Sequence, residues 1–141
     1  MASVRAQRAT VYVIKPATAH VPDGERPIVW FSARQHWEPT ASKGKIINGV
    51  RSTMTLREMI SKGDGLWRFG VLVAELQSYH QLKKSAAIAP AMARALERSA
   101  RECGADPAFW YGSLEAVKVS GCTIQCLYDP DGEWGGLPDR A

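Results

Sequence analysis

Apolar residues along the chain fall into two rhythms. Short β-branched or aromatic runs occur at "TVYVI" (residues 10–14), "IVWFS" (28–32) and "LWRFGVLVA" (66–74), each stopped by polar, proline or glycine positions. Such runs predict strands. The unbroken "IVWFS" predicts a strand covered on both faces with Ser32 at its exposed end, whereas Trp67, Phe69 and Val71 alternate onto one face of the third run. The other rhythm has steps of three and four. Met92, Ala95, Leu96, Ser99, Ala100 and Cys103 predict one solid helix over 90–103, with Pro90 in its first turn and Gly104 behind it.

Weaker signals complete the pattern. Thr55 and Glu58 have the spacing of a capping box, which predicts a short helix to about Ser61. Residues 78–89 fit a helix or an irregular segment. "PAFWYGS" after Asp106 reads as a short turn, and the alternating "EAVKVS" (115–120) and "CTIQCLYD" (122–129) read as two late strands. The segments after the first two strands, "PATAHVPDGERP" and "ARQHWEPTASKGKIINGVRS", carry turn residues and predict loops, with at most a short extended piece at Ile46 and Ile47. Strands that do not alternate regularly with helices predict an α+β fold: a mixed or antiparallel sheet of about five strands, one main helix and one or two short ones. At 141 residues the expectation is one compact domain, with residues 1–9 and 135–141 as loose ends.

Composition excludes several classes. The chain is 45% hydrophobic with five Trp, which is the make-up of a folded protein and not of a disordered tail. It has no long apolar run and no signal-peptide pattern, so a soluble, cytoplasmic protein with no membrane partner is expected. Three cysteines without a paired spacing indicate neither a disulfide framework nor zinc, and His20, His36 and His80 are too scattered to suggest another metal. Charge is uneven: residues 1–62 hold ten Lys and Arg against four Asp and Glu, while the remainder is slightly acidic. With Trp30, Phe31, His36 and Trp37 nearby, that basic half admits a nucleic-acid-binding module as one reading. Trp30 and Phe31 are adjacent in a strand and point to opposite faces, so they cannot form one stacking surface.

The order "IKPATAHVPDGERPIVWFS", "WEPTASK", "RFGV" and "WYGSLEAVKVS" resembles small bacterial and phage-type proteins similar to the ADP-ribosyltransferase superfamily. That resemblance implies a split sheet that grips NAD through motifs on three strands. "VWFSA" is similar to the second motif, so Ser32 would support the cofactor, with Trp30 or Trp37 packing nearby and His36 bordering the same cleft. Glu115 in "SLEAV" is similar to the third, a catalytic Glu that would steady a cationic ribose and orient an unknown macromolecular acceptor. The first motif, an Arg or His on the opening strand, has only Arg8 and Tyr12 as stand-ins, and Ala33-Arg34 replaces the Thr-Ser that follows the serine of the second. The resemblance therefore covers an active or a degenerate transferase. A small non-enzymatic interaction or inhibitor protein of phage or mobile-element type, acting on a protein partner, is the competing expectation.

Overall fold

A computed structural model describes residues 10–15, 21–118 and 120–136. Seven strands form one sheet in the order β6-β7-β2-β1-β5-β8-β9, every neighbouring pair antiparallel: β1 Thr10–Lys15, β2 Val29–Ser32, β5 Leu66–Leu72, β6 Gln77–Ser78, β7 Trp110–Ser113, β8 Thr123–Leu127 and β9 Gly135–Gly136. A separate hairpin joins β3 Gly44–Ile47 to β4 Val50–Thr53 through Asn48 and Gly49, both with positive φ, as a tight two-residue turn requires. The helices are α1 Leu56–Gly63, α2 Tyr79–Ser85 and α3 Pro90–Cys103. The α+β class is as expected, with more and shorter strands than the pattern suggested.

Helix ends follow local chemistry. The Thr55 hydroxyl accepts from the Glu58 backbone N–H, and the Glu58 carboxylate accepts from the Thr55 N–H, which closes the expected capping box. Ser78 and Gln81 build a second such box, and it decides the ambiguous segment in favour of α2. Pro90 starts α3, and Gly104 ends it in the left-handed conformation at φ 78°.

Helices α2 and α3 cover one part of the sheet. Ile28, Leu82, Ala86, Ile88 and Ala93 form one buried cluster, and Tyr79, Ala100 and Trp110 form another, against which Trp30 packs. Gly112 lies where β7 passes under this layer. A Cβ there would sit 2.6 Å from the Ile28 Cγ2 and 2.8 Å from a Leu82 methyl, so only glycine lets the helix approach.

Several expectations are corrected. Ser32 does not end its strand in solvent; it is 1% exposed. Residues 110–113, read as a turn, are a strand, because Trp110 and Gly112 face the helices while the backbone pairs with β2. Residues 115–118, read as strand, are irregular: the Ser113 hydroxyl accepts from the Glu115 N–H at 3.1 Å and donates to the Glu115 carbonyl at 2.8 Å, turning the chain off the sheet. On β5, Trp67, Phe69 and Val71 do share one face as expected, but Trp67 and Phe69 on it are exposed, and the buried positions are Arg68 and Gly70 on the other. Gly135 and Gly136 of the expected loose tail pair with β8, whereas 1–9 and 137–141 lie outside the described residues.

Candidate functional site

The loop leaving β2 builds a buried polar centre. Pro39 restricts the residue before it, and Glu38 is extended (φ −89°, ψ 111°) ahead of a single 3-10 turn, Pro39–Ala41, that rests against α3. Glu38 is 3% exposed. Its Oε1 accepts from the Trp110 indole N–H at 2.6 Å and from the Ser32 hydroxyl at 3.3 Å. The Ser32 oxygen in turn accepts from the Arg34 backbone N–H at 3.1 Å. The second carboxylate oxygen, Oε2, is buried and has no hydrogen-bond partner. Burial pushes the Glu38 carboxyl above the ordinary carboxylate range, against the opposing pull of the Trp110 and Ser32 bonds, the Arg34 charge and a weaker contribution from the Thr40 backbone N–H.

A second group stands on the neighbouring strands. The Arg68 guanidinium carbon lies 3.5 Å from the centre of the Tyr12 ring and 4.0 Å from that of Trp134, so aromatic faces enclose it on two sides. Its Nε donates to the Gln125 Oε1 at 2.9 Å, across the β5–β8 register. Burial lowers its pKa to about 10, which leaves it charged at neutral pH. No carboxylate pairs with it among the described residues. Trp134 stacks on Trp37, with ring centres 6.5 Å apart and planes 10° from parallel. The result is a ladder of Tyr12, Arg68, Trp134 and Trp37.

Ser32, Glu38, Arg68, Tyr12 and Trp37, together with Arg34 and Trp67, line one cavity of about 180 Å³. Ile14 and Ala41 line both it and a less polar neighbour of about 330 Å³, whose wall includes Trp30, Leu96, Ser99 and Trp110. The smaller volume is below the roughly 300–1,000 Å³ of a whole-ligand pocket, so it suits one ring or one substituent of a larger molecule.

The residues singled out from sequence are thus distributed unequally. Ser32 and Trp37 line the cavity. Trp30 belongs to an aromatic cluster, edge-on to Trp110 at 6.2 Å and tilted against Tyr79 at 6.3 Å, and faces the larger neighbour. His36 is exposed and braces the rim: its Nε2 meets the Pro130 carbonyl at 3.0 Å, and its own carbonyl accepts from the Trp134 indole at 2.6 Å. Glu115 is not brought to Ser32. It is exposed and lines a separate cavity of about 470 Å³ with Glu75, Lys118 and Cys122. The register explains the separation, since Ser32 pairs with Trp110 at one end of β7 while Ser113, at the other end, pairs with Val29.

Sequence reasoning missed Glu38, Arg68, Gln125 and Trp134. Only Arg68 carried a usable signal: a single charge inside an apolar run between two aromatics sits in a strand interior, where an unpaired cation is rarely found unless something encloses it. Among the described residues no three His, Cys, Asp or Glu converge as metal ligands, and no helix is long and apolar enough to cross a membrane. Comparison with protein-family models, with curated proteins and with solved structures finds no match for this chain.

Proposed function

We propose that the domain is ADP-ribosyltransferase-like and binds NAD, with one end of the cofactor in the cavity at Ser32. The observation that carries this reading is the buried pair of Ser32 and Glu38, hydrogen-bonded to each other at the wall of a cavity shared with Tyr12, Trp37 and Arg68. Aromatic side chains supply the flat faces a nicotinamide or adenine ring needs, and the hydroxyl supplies a hydrogen bond. The cavity beside Trp30 offers room for the remainder of a dinucleotide, because the smaller one holds only a fragment. Transfer of ADP-ribose asks for a carboxylate near the ribose carbon that becomes cationic. Glu115 lines a different cavity, so in this arrangement it is Ser32 and the aromatic walls that support binding, and a transferase role for Glu115 has no support from position.

Thermal unfolding with and without millimolar NAD tests the reading. A ligand that binds only the native state raises Tm, by an amount set by its concentration over Kd. No shift removes NAD from the account. A second reading, a non-enzymatic protein that works by surface contact, is favoured by the β3–β4 hairpin, where Ile46, Ile47 and Val50 stand 56–67% exposed. Its test is a pull-down in which Ile47→Asp releases a partner that the unaltered chain retains.

A further inference from the structure

Arg68 is a buried cation without a counter-charge. It stands in the middle of β5 and is 9% exposed, yet it lines the cavity of about 180 Å³. Neither of the two ion pairs among the described residues involves it, and the titratable neighbour that favours its charged form is a phenol, Tyr12. The one acid on the cavity wall, Glu38, is already engaged by Trp110, by Ser32 and by the charge of Arg34. Two guanidinium groups against one carboxyl leave the walls net positive. An ion buried without a partner is costly, and a bound anion would offset that cost.

The surroundings of the Arg68 guanidinium decide the shape of that anion. Its carbon lies 3.5 Å from the centre of the Tyr12 ring and 4.0 Å from that of Trp134, and two rings at such distances cannot share one face. Both faces are therefore covered, and a ligand reaches the group only along its edge. On that edge Nε is taken by the Gln125 Oε1 at 2.9 Å, while Nη1 has only a long contact, 3.5 Å, to the His36 carbonyl. Nη2 has no acceptor among the described residues and is not one of the buried unpartnered atoms, in contrast to the Arg34 Nε and the Glu38 Oε2. A carboxylate lies flat in the guanidinium plane and accepts two N–H bonds there. A phosphate would set further oxygens above and below that plane, where the rings stand. Tyr12, Ile14 and Trp37 wall the space behind such a carboxylate, and its volume suits a single ring.

We propose that this cavity binds the carboxylate of a small aromatic acid, with Arg68 as the binding residue that donates to its two oxygens through Nη1 and Nη2. No covalent bond is made or broken. The site does not rest on the NAD reading, in which the same cavity takes one end of the dinucleotide.

Calorimetry and thermal shift on the full chain, with benzoate, benzamide, inorganic phosphate and NAD as probes, test the site. The proteins are the unaltered chain, Arg68→Gln and, as a cation removed from another cavity, Lys118→Gln. Benzoate is expected to bind, with benzamide and phosphate about tenfold or more weaker. Arg68→Gln should weaken benzoate about tenfold or more, and Lys118→Gln should leave it unchanged. Benzamide or phosphate binding as tightly as benzoate overturns the proposal, and this comparison in the unaltered chain decides even if Arg68→Gln does not fold. So does unchanged benzoate binding by a folded Arg68→Gln, or its loss in Lys118→Gln. If benzoate binds and NAD does not, the carboxylate site stands and the NAD reading falls. If NAD binds and benzoate does not, the reverse holds. If nothing binds, both fall.

Discussion

At the scale of single residues, Glu38 combines stability and chemistry in one side chain. Two buried donors end on its carboxylate, so Glu38→Leu strands the Trp110 indole and the Ser32 hydroxyl. The expected loss is about 2–4 kcal/mol in a urea melt, from two unpaired polar groups. The pH dependence follows from its raised pKa. In the unfolded chain the carboxyl titrates near its ordinary value of 4.5, and in the folded chain burial moves it higher. Between those values the native state holds the proton and the unfolded state does not, so stability falls as pH rises through that window and is level on either side. Glu38→Gln should remove that part of the slope. A urea midpoint that depends on pH in the same way in both proteins would contradict the assignment. Arg68 had a legible signal and Glu38 did not: a glutamate between Trp37 and Pro39 in a polar loop looks solvated until Trp110, 72 positions away, is placed on it.

At the scale of elements, local codes and packing codes behave differently. Thr55→Ala removes one side of a capping box on an eight-residue helix and should cost about 1 kcal/mol, read by thermal melting. Gly112→Ala acts through tertiary packing. Its new methyl meets Ile28, Leu82 and the Val29 carbonyl at 2.6, 2.8 and 3.2 Å, and an expected loss of about 1–3 kcal/mol reflects the overpacking. An unchanged melt for Gly112→Ala would mean that α2 can retreat from the sheet. The same contrast explains which elements were readable. Helix α3 was, with both its limits, because its start and stop signals lie within the segment itself. Strand β7 was not: "WYGS" alternates over only four residues, and its identity as a strand comes from pairing with β2, some eighty positions earlier.

At the scale of the whole molecule, the basic half and the cavity make opposite predictions. If binding is centred on Ser32 and Glu38, NAD raises Tm in a way that moderate salt changes little, since the groups involved are buried. If the ten Lys and Arg of residues 1–62 carried a nucleic acid, affinity would fall steeply between low and moderate salt. Filter binding with single- and double-stranded oligonucleotides separates the two, and the cavity reading expects no binding at about 150 mM salt.

Sequence alone determined what depends on neighbours a few residues apart: the α+β class, the helix over 90–103, the capping box at Thr55, and Trp30 and Phe31 on opposite faces of one strand. Tertiary structure decided what depends on distant partners. It buried Ser32, set Glu38 on Trp110, enclosed Arg68 between Tyr12 and Trp134, and left Glu115 in another cavity. The reason is physical. A cap or a periodic face is completed by bonds within one turn or one strand, whereas a buried acid is tolerated only where the fold delivers donors to it, and no local pattern records which donors those will be.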